Sequence, residues 1–157
     1  MAILIKQLYP DVRVCGLDPD PKALGRARRK AVKSAVTIQF DEGFSDKLPY
    51  SDATFDRVFS SFMLHHLPAD QKESTLREAR RVLKPDGSFL LVDFAGPEHH
   101  GHGWLTHLFH SSEHLKDSSE TRIIALMQRA GFLESKKVME KSILLAGMRI
   151  NYFQALR

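Results

Sequence analysis

A chain of 157 residues with 43% hydrophobic and 27% charged residues has the length and mix of one globular domain, which excludes collagen, coiled coil and extended disorder. Lysine and arginine number 23 against 19 acidic residues, a net charge of +4 that is too small to name a partner, and no nucleic acid is expected. The lone cysteine, Cys15, excludes an internal disulfide framework and a Cys-x-x-Cys metal site. It fits a reducing compartment, so a cytoplasmic location is expected. The longest apolar runs, such as Ile143–Gly147 and Phe89–Val92, are far short of a membrane span, and the start lacks the pattern of a signal peptide.

Residues 2–9 read as the end of a helix stopped by Pro10. Val12–Asp18 reads as a short apolar strand. Asp20 is a candidate N-cap for a helix over about 21–34, with Pro21 at its first turn. Val36–Phe40 and Phe55–Phe62 read as the second and third strands. Asp70–Leu83 has the period of an amphipathic helix, with Leu76, Ala79 and Leu83 on one face. Pro85-Asp86-Gly87 predicts a turn in which glycine supplies a positive φ, before a fourth strand at Ser88–Phe94. Glu120–Ala130 predicts a helix closed by Gly131. Two extended runs, about 133–140 and 143–156, have no helix between them and should pair antiparallel at one edge. Strands alternating with helices imply an α/β fold with a mostly parallel open sheet.

Ligands on such sheets bind beyond the carboxyl ends of the strands. That rule selects Asp18, the loop after Phe40 and the segments after Ser60 and Phe94. A carboxylate at Asp18 can accept two hydrogen bonds from a ribose diol; the plainer reading is a helix cap or a solvated turn.

Three motifs follow in order: Leu48-Pro49-Tyr50-Ser51-Asp52-Ala53-Thr54-Phe55-Asp56-Arg57-Val58, Leu64-His65-His66-Leu67, and Arg81-Val82-Leu83-Lys84-Pro85-Asp86-Gly87. Together, over Val12 to about Val92, they resemble class I S-adenosylmethionine-dependent methyltransferases, particularly the group similar to the ubiquinone/menaquinone-biosynthesis enzymes. The likeness continues more loosely to the end of the chain. It implies a Rossmann-like sheet and S-adenosylmethionine as cofactor. It implies that Asp18 holds the ribose hydroxyls, that Phe44 and Ser45 flank the adenine, and that Ser61 contacts the cofactor. Phe44 departs from the polar residue usual there, which leaves stacking or a backbone contact.

The family begins with a strand and a glycine-rich loop, and nothing before Val12 supplies them. The first, central family strand is therefore expected to be missing, and the chain to be a fragment, a mis-called start or a natural truncation. The only Gly-x-Gly, Gly101-His102-Gly103, is not between a strand and a helix and reads as a loop. The strands at 12–18 and 55–62 read as largely apolar, the second with Asp56 and Arg57 near its start, and are expected to have neighbours on both sides. A chain lacking the strand between them is expected to bind the cofactor poorly and to self-associate.

Six of the eight histidines lie between His99 and His114. His107, His110 and His114 share one helical face, with Glu113 close by, which admits a metal reading. In the resembled family this region, 96–119, is a variable lid insertion within a single domain spanning 1–157, and solvated lid histidines with no metal are the better reading. His65 and His66 read as capping or supporting residues behind a strand end. The basic face of the helix at 22–33 has no interleaved aromatic residue and reads as solvated.

The resulting expectation is methyl transfer to a small-molecule acceptor, with the catalytic base and the acceptor atom unidentified. The competing reading is a non-catalytic remnant of a methyltransferase domain acting through a protein partner.

Overall fold

The computed structural model describes residues 1–95, 119–143 and 148–157. The expected lid at 96–119, its histidines and the Gly101–Gly103 loop lie, but for Ser119, outside the described residues. The chain divides into two compact units, Met1–Pro49 and Tyr50–Arg157.

In the first unit, α1 (Ala2–Leu8) leads to β1 (Cys15–Asp18), α2 (Pro21–Lys33) and β2 (Gln39–Glu42). β1 and β2 pair in parallel, with Cys15 opposite Gln39 and Asp18 opposite Glu42. Asp20 caps α2 as expected, its carboxylate accepting the Lys22 backbone N–H at 2.8 Å. The arginines and lysines of α2 are exposed, while Leu24 and Ala31 are buried.

Both strands start later than the apolar pattern suggests. Lys6 Nζ donates to the carbonyls of Pro10 at 2.6 Å and Val12 at 2.7 Å. Those carbonyls are held by a side chain, so β1 begins only at Cys15. After α2, Ala35 takes a left-handed φ of 51° and the Val36 N–H returns to the Ala31 carbonyl. This closing turn delays β2 to Gln39, and the strand extends through the acidic Asp41 and Glu42.

The second unit contains β3 (Phe55–Ser61), a 3-10 turn at Leu64–His66, α3 (Ala69–Val82), β4 (Leu83–Phe94), α4 (Glu120–Arg129), β5 (Glu134–Ile143) and β6 (Met148–Leu156). Its sheet runs β3-β4-β6-β5. β3 and β4 are parallel, while β6 is antiparallel to β4 and to β5. The α/β class and the antiparallel C-terminal edge agree with the sequence reading. Among the described residues, β1 has only β2 as a hydrogen-bonded neighbour and β3 only β4.

One face of the second sheet is covered by α3 and α4. Leu76 and Ala79 of α3 and Ile123, Leu126 and Met127 of α4 close over Leu83, Phe89 and Leu91 of β4 and Phe153 and Ala155 of β6. Fully burying a leucine or phenylalanine contributes about 1.5–3 kcal/mol. The helical spacing in α3 and the strict alternation in β4 thus face each other. Gly131 follows α4 at φ +93° as a C′ residue should, and its carbonyl accepts Arg80 Nε of α3 at 2.7 Å.

Gly87 behaves differently from the expectation. Residues 84–87 form a wide bulge at the start of β4, where Phe55 pairs with Leu83 but Arg57 pairs with Ser88. Among the described glycines only Gly131 has positive φ, so Gly87 is not a left-handed turn residue. It is needed for space: a Cβ there would lie 2.8 Å from the Lys84 carbonyl oxygen and 2.9 Å from Leu83 Cδ2.

Candidate functional site

Asp18, Phe44 and Ser45 gather at the carboxyl end of the β1–β2 pair. Asp18 is the last residue of β1, and Phe44 and Ser45 follow β2 by two and three residues. Asp18 Oδ1 accepts the Asp20 backbone N–H at 2.8 Å. This local turn fixes the carboxylate rotamer, and Oδ2 remains for a further donor. The Asp18 carbonyl accepts the Gly43 N–H at 3.4 Å, which carries the chain from β2 across the end of β1. A Cβ on Gly43 would meet Leu17 Cδ1 at 3.1 Å, so a small residue lets this loop close down. Phe44 is 68% exposed. An open hollow of about 320 Å³ lined by Lys6, Asp11, Arg13 and Gln39 lies at the other, amino end of the pair, which parallel α/β sheets do not use for ligands.

Ser61 is the last residue of β3 in the second unit, opposite Val92 of β4. Its own unit supplies a group that sequence reasoning assigned only a supporting part. Asp93, the penultimate residue of β4, is 3% exposed. Its Oδ2 accepts the His65 backbone N–H at 2.9 Å, and its Oδ1 lies 2.5 Å from His65 Nδ1 and accepts the Phe94 N–H at 2.9 Å. Burial of a carboxylate is costly without donors, and here three converge on it. The His65 ring packs against His66 at 3.9 Å between centroids and edge-on to Phe94 at 5.1 Å. Phe62 stands 4.9 Å from Phe94. The signal that could have exposed this pairing was an acid closing the apolar run Phe89–Val92, beside a histidine pair that follows the neighbouring strand.

The loop motifs around this site are structural. Arg81 donates to the Tyr50 carbonyl, to Asp52 and to Glu78, and Lys84 pairs with Asp56 at 2.9 Å. They fix how β3 enters the sheet and leave its far end to the site.

A sequence family described as a methyltransferase domain matches residues 1–87. The chain belongs to this methyltransferase family. Within it, the chain is similar to the ubiquinone/menaquinone-biosynthesis group, whose cofactor is S-adenosylmethionine. It is 40% identical over 96 residues to the demethylmenaquinone methyltransferase of Deinococcus radiodurans, covering 61% of this chain and 39% of that one. It is 38% identical over 84 residues to the ubiquinone/menaquinone biosynthesis C-methyltransferase UbiE of Brucella anthropi, covering 52% of this chain and 31% of that one. The methyltransferase-family chain thus spans well under half the length of these curated relatives. Its fold matches the crystal structure of the YcgJ protein of Bacillus subtilis with a TM-score of 0.78 at 19% identity, over 96% of this chain and 85% of that one. That likeness establishes the Rossmann-like fold.

Proposed function

We propose that this chain carries out methyl transfer from S-adenosylmethionine to a small-molecule acceptor, in the manner its membership of the family suggests. The single observation that carries the reading is the cluster at the carboxyl end of β1 and β2. Asp18 presents a carboxylate oxygen to solvent from a fixed rotamer, and Phe44 presents an exposed ring two residues beyond β2.

This donor set fits the adenosine part of the cofactor. The carboxylate is an acceptor for ribose hydroxyls, and the ring offers a face on which a purine can stack. Ser45 beside it completes the cofactor contacts proposed for this unit. Bound S-adenosylmethionine supplies a methyl group already activated by its sulfonium. The chain's task is to hold the adenosine and to orient an acceptor in line, and proximity of that kind contributes about 7–11 kcal/mol. The unpaired Cys15 fits a reducing compartment, and the cytoplasm is the location we propose. Among the described residues no helix is long and apolar enough to cross a membrane.

Calorimetric titration of S-adenosylhomocysteine into the chain tests the site. Asp18→Ala should weaken binding by about 1.5–3 kcal/mol, the range for hydrogen bonds to a charged group. Equal affinity of the variant and the original removes Asp18 from the site.

A further inference from the structure

The helix α2 has a composition that its packing does not require. Six of its 13 residues are lysine or arginine and none is acidic, so this one helix carries more positive charge than the net +4 of the whole chain. Lys22, Arg26, Arg28, Arg29, Lys30 and Lys33 are all exposed, while Leu24 and Ala31 hold the helix from its buried side. Lys22, Arg26, Arg29 and Lys33 follow one another at helical spacing. That spacing sets them in one row, about 16 Å long at 1.5 Å per residue, with Lys30 alongside.

Such a row works against the helix that bears it. Arg26 has Lys22 four residues before it, Arg29 three after and Lys30 four after, and Arg29 has Lys33 four after. Residues at these spacings are neighbours on a helix surface, and like charges there are destabilising. The helix dipole favours Lys30 and Lys33 in the last turn, but it disfavours Lys22 in the first. Acidic partners barely offset the charge. Arg26 Nη2 stands 3.6 Å from Asp20 Oδ2, and Arg28 Nη2 donates to the Phe40 carbonyl at 2.8 Å. Lys22, Arg29, Lys30 and Lys33 have no ion-pair partner among the described residues.

We infer that this face of α2 docks the protein on an anionic phospholipid surface. The kind of partner follows from what the face offers and what it lacks. α2 has no aromatic side chain on which a base could stack, and no asparagine, glutamine, serine or threonine to read a base edge. Tight binding of an acidic protein segment is usually anchored by large side chains seated in pockets. The one large exposed apolar side chain of α2 is Val32, to one side of the row. A lipid surface asks only for cations in one plane, within a screening length of about 8 Å at physiological salt. Four to eight lysines and arginines on an amphipathic helix are the pattern such surfaces bind. Arginine adds a planar fork that matches phosphate oxygens in pairs. Leu24 and Ala31 stay buried in the fold, so the helix rests on the headgroups and inserts nothing between the lipid chains. The inference uses neither the cofactor nor the transfer reaction and goes beyond the methyl-transfer reading above.

Vesicle flotation tests this on the intact chain, because bound protein rises with the lipid whereas aggregates sink. Vesicles of equal parts phosphatidylcholine and phosphatidylglycerol should carry the protein at about 0.1 M salt and release it at about 0.5 M, and phosphatidylcholine alone should carry none. Lys22→Gln combined with Arg29→Gln removes two unpaired cations and keeps a good helix former at both positions. Its melting temperature should be no lower than the original's, since like-charge neighbours are lost. Its affinity for the mixed vesicles should fall about fivefold for each cation removed. Lys136→Gln combined with Lys141→Gln takes the same charge from β5 and should lower the affinity far less. Competition with a short DNA duplex and with polyglutamate, each at the lipid's charge concentration, should leave the protein on the vesicles. Displacement by the duplex assigns the face to nucleic acid, and displacement by polyglutamate assigns it to an acidic protein. Either displacement, a failure to float at low salt, or equal losses from the α2 and β5 variants overturns the inference.

Discussion

Arg81 grips the carboxylate of Glu78 with two hydrogen bonds, from Nε to Oε1 at 2.6 Å and from Nη2 to Oε2 at 2.8 Å. Its remaining amine, Nη1, donates to the Tyr50 carbonyl at 2.8 Å and to Asp52 at 2.7 Å. One planar side chain thus ties the loop before β3 to the last turn of α3. The backbone repeats the tie, with the Ala53 N–H on the Arg81 carbonyl and the Thr54 N–H on the Val82 carbonyl. The residues that make the chain recognisable are, to this extent, fasteners of the sheet.

Arg81→Ala should therefore lower stability by about 1–2 kcal/mol, allowing for partial solvent screening. Arg81→Lys should recover little, because an ammonium cannot reproduce the planar fork. Urea midpoints for the three proteins check this. A lysine variant as stable as the original would mean that charge alone suffices.

Gly87 and Gly25 should respond to alanine with opposite sign. At Gly87 the new methyl would press on the backbone oxygens of Lys84 and Asp56, which cannot swing aside. A cost of about 1–3 kcal/mol is expected for such overpacking. Gly25 lies within α2, and a Cβ there meets only the tip of Arg29 at 3.7 Å. Gly25→Ala should stabilise by about 0.5–1 kcal/mol, the helix-propensity difference. Thermal melts of both variants decide the matter, and equal signs would contradict the packing described here.

The helices α2, α3 and α4 were legible because each repeats an apolar face over ten or more residues and carries its own punctuation, Asp20 with Pro21 before α2 and Gly131 after α4. The short strands were less so. Their starts depend on Lys6 reaching the carbonyls of Pro10 and Val12, and on Ala35 turning left-handed, neither of which leaves a periodic trace. The bulge at 84–87 reads like an ordinary turn because the strand it pairs with, β3, is far away in sequence. The same limit applies to the site. Asp18 and the loop after Phe40 follow from the rule of carboxyl ends, applied to consecutive elements, whereas Phe44 and Ser45 within that loop come only from the family resemblance. The bond between His65 and Asp93 spans 28 residues and exists only through the β3–β4 register, which no local pattern specifies.

Glu73 should make the fold sensitive to acid. It pairs with Arg77 of its own helix at 2.6 Å and with Arg129 of α4 at 3.3 Å. The hydrogen bonds from these two arginines hold its carboxyl below the ordinary value. A depressed folded-state value means that this group's stabilisation is fully present above its unfolded value and is lost as pH falls toward the folded one. Glu73→Gln should thus decline in stability less steeply than the original chain between about pH 5 and pH 3. Denaturant midpoints taken across that window provide the comparison, with parallel curves counting against the assignment.

The open edges of β1 and β3 predict association in solution. Among the described residues, each strand is paired on one side only, which leaves a row of unpaired N–H and C=O groups on the other. Natural edges are usually blocked by charge or proline. Asp56 and Arg57 give β3 such protection at its start, but Val58-Phe59-Ser60-Ser61 carries none, and Phe59 is 45% exposed. In β1, Cys15-Gly16-Leu17 is likewise without charge before Asp18. Pairing such an edge with a second chain satisfies backbone groups and removes apolar surface together, at about 25 cal/mol per Å² for the latter. Light scattering behind a sizing column should therefore give a mass above that of one chain, rising with loading concentration. Phe59→Lys places a charge where an added strand would lie and should shift the distribution toward the monomer. A single-chain mass that does not change with concentration would mean that these edges are already covered.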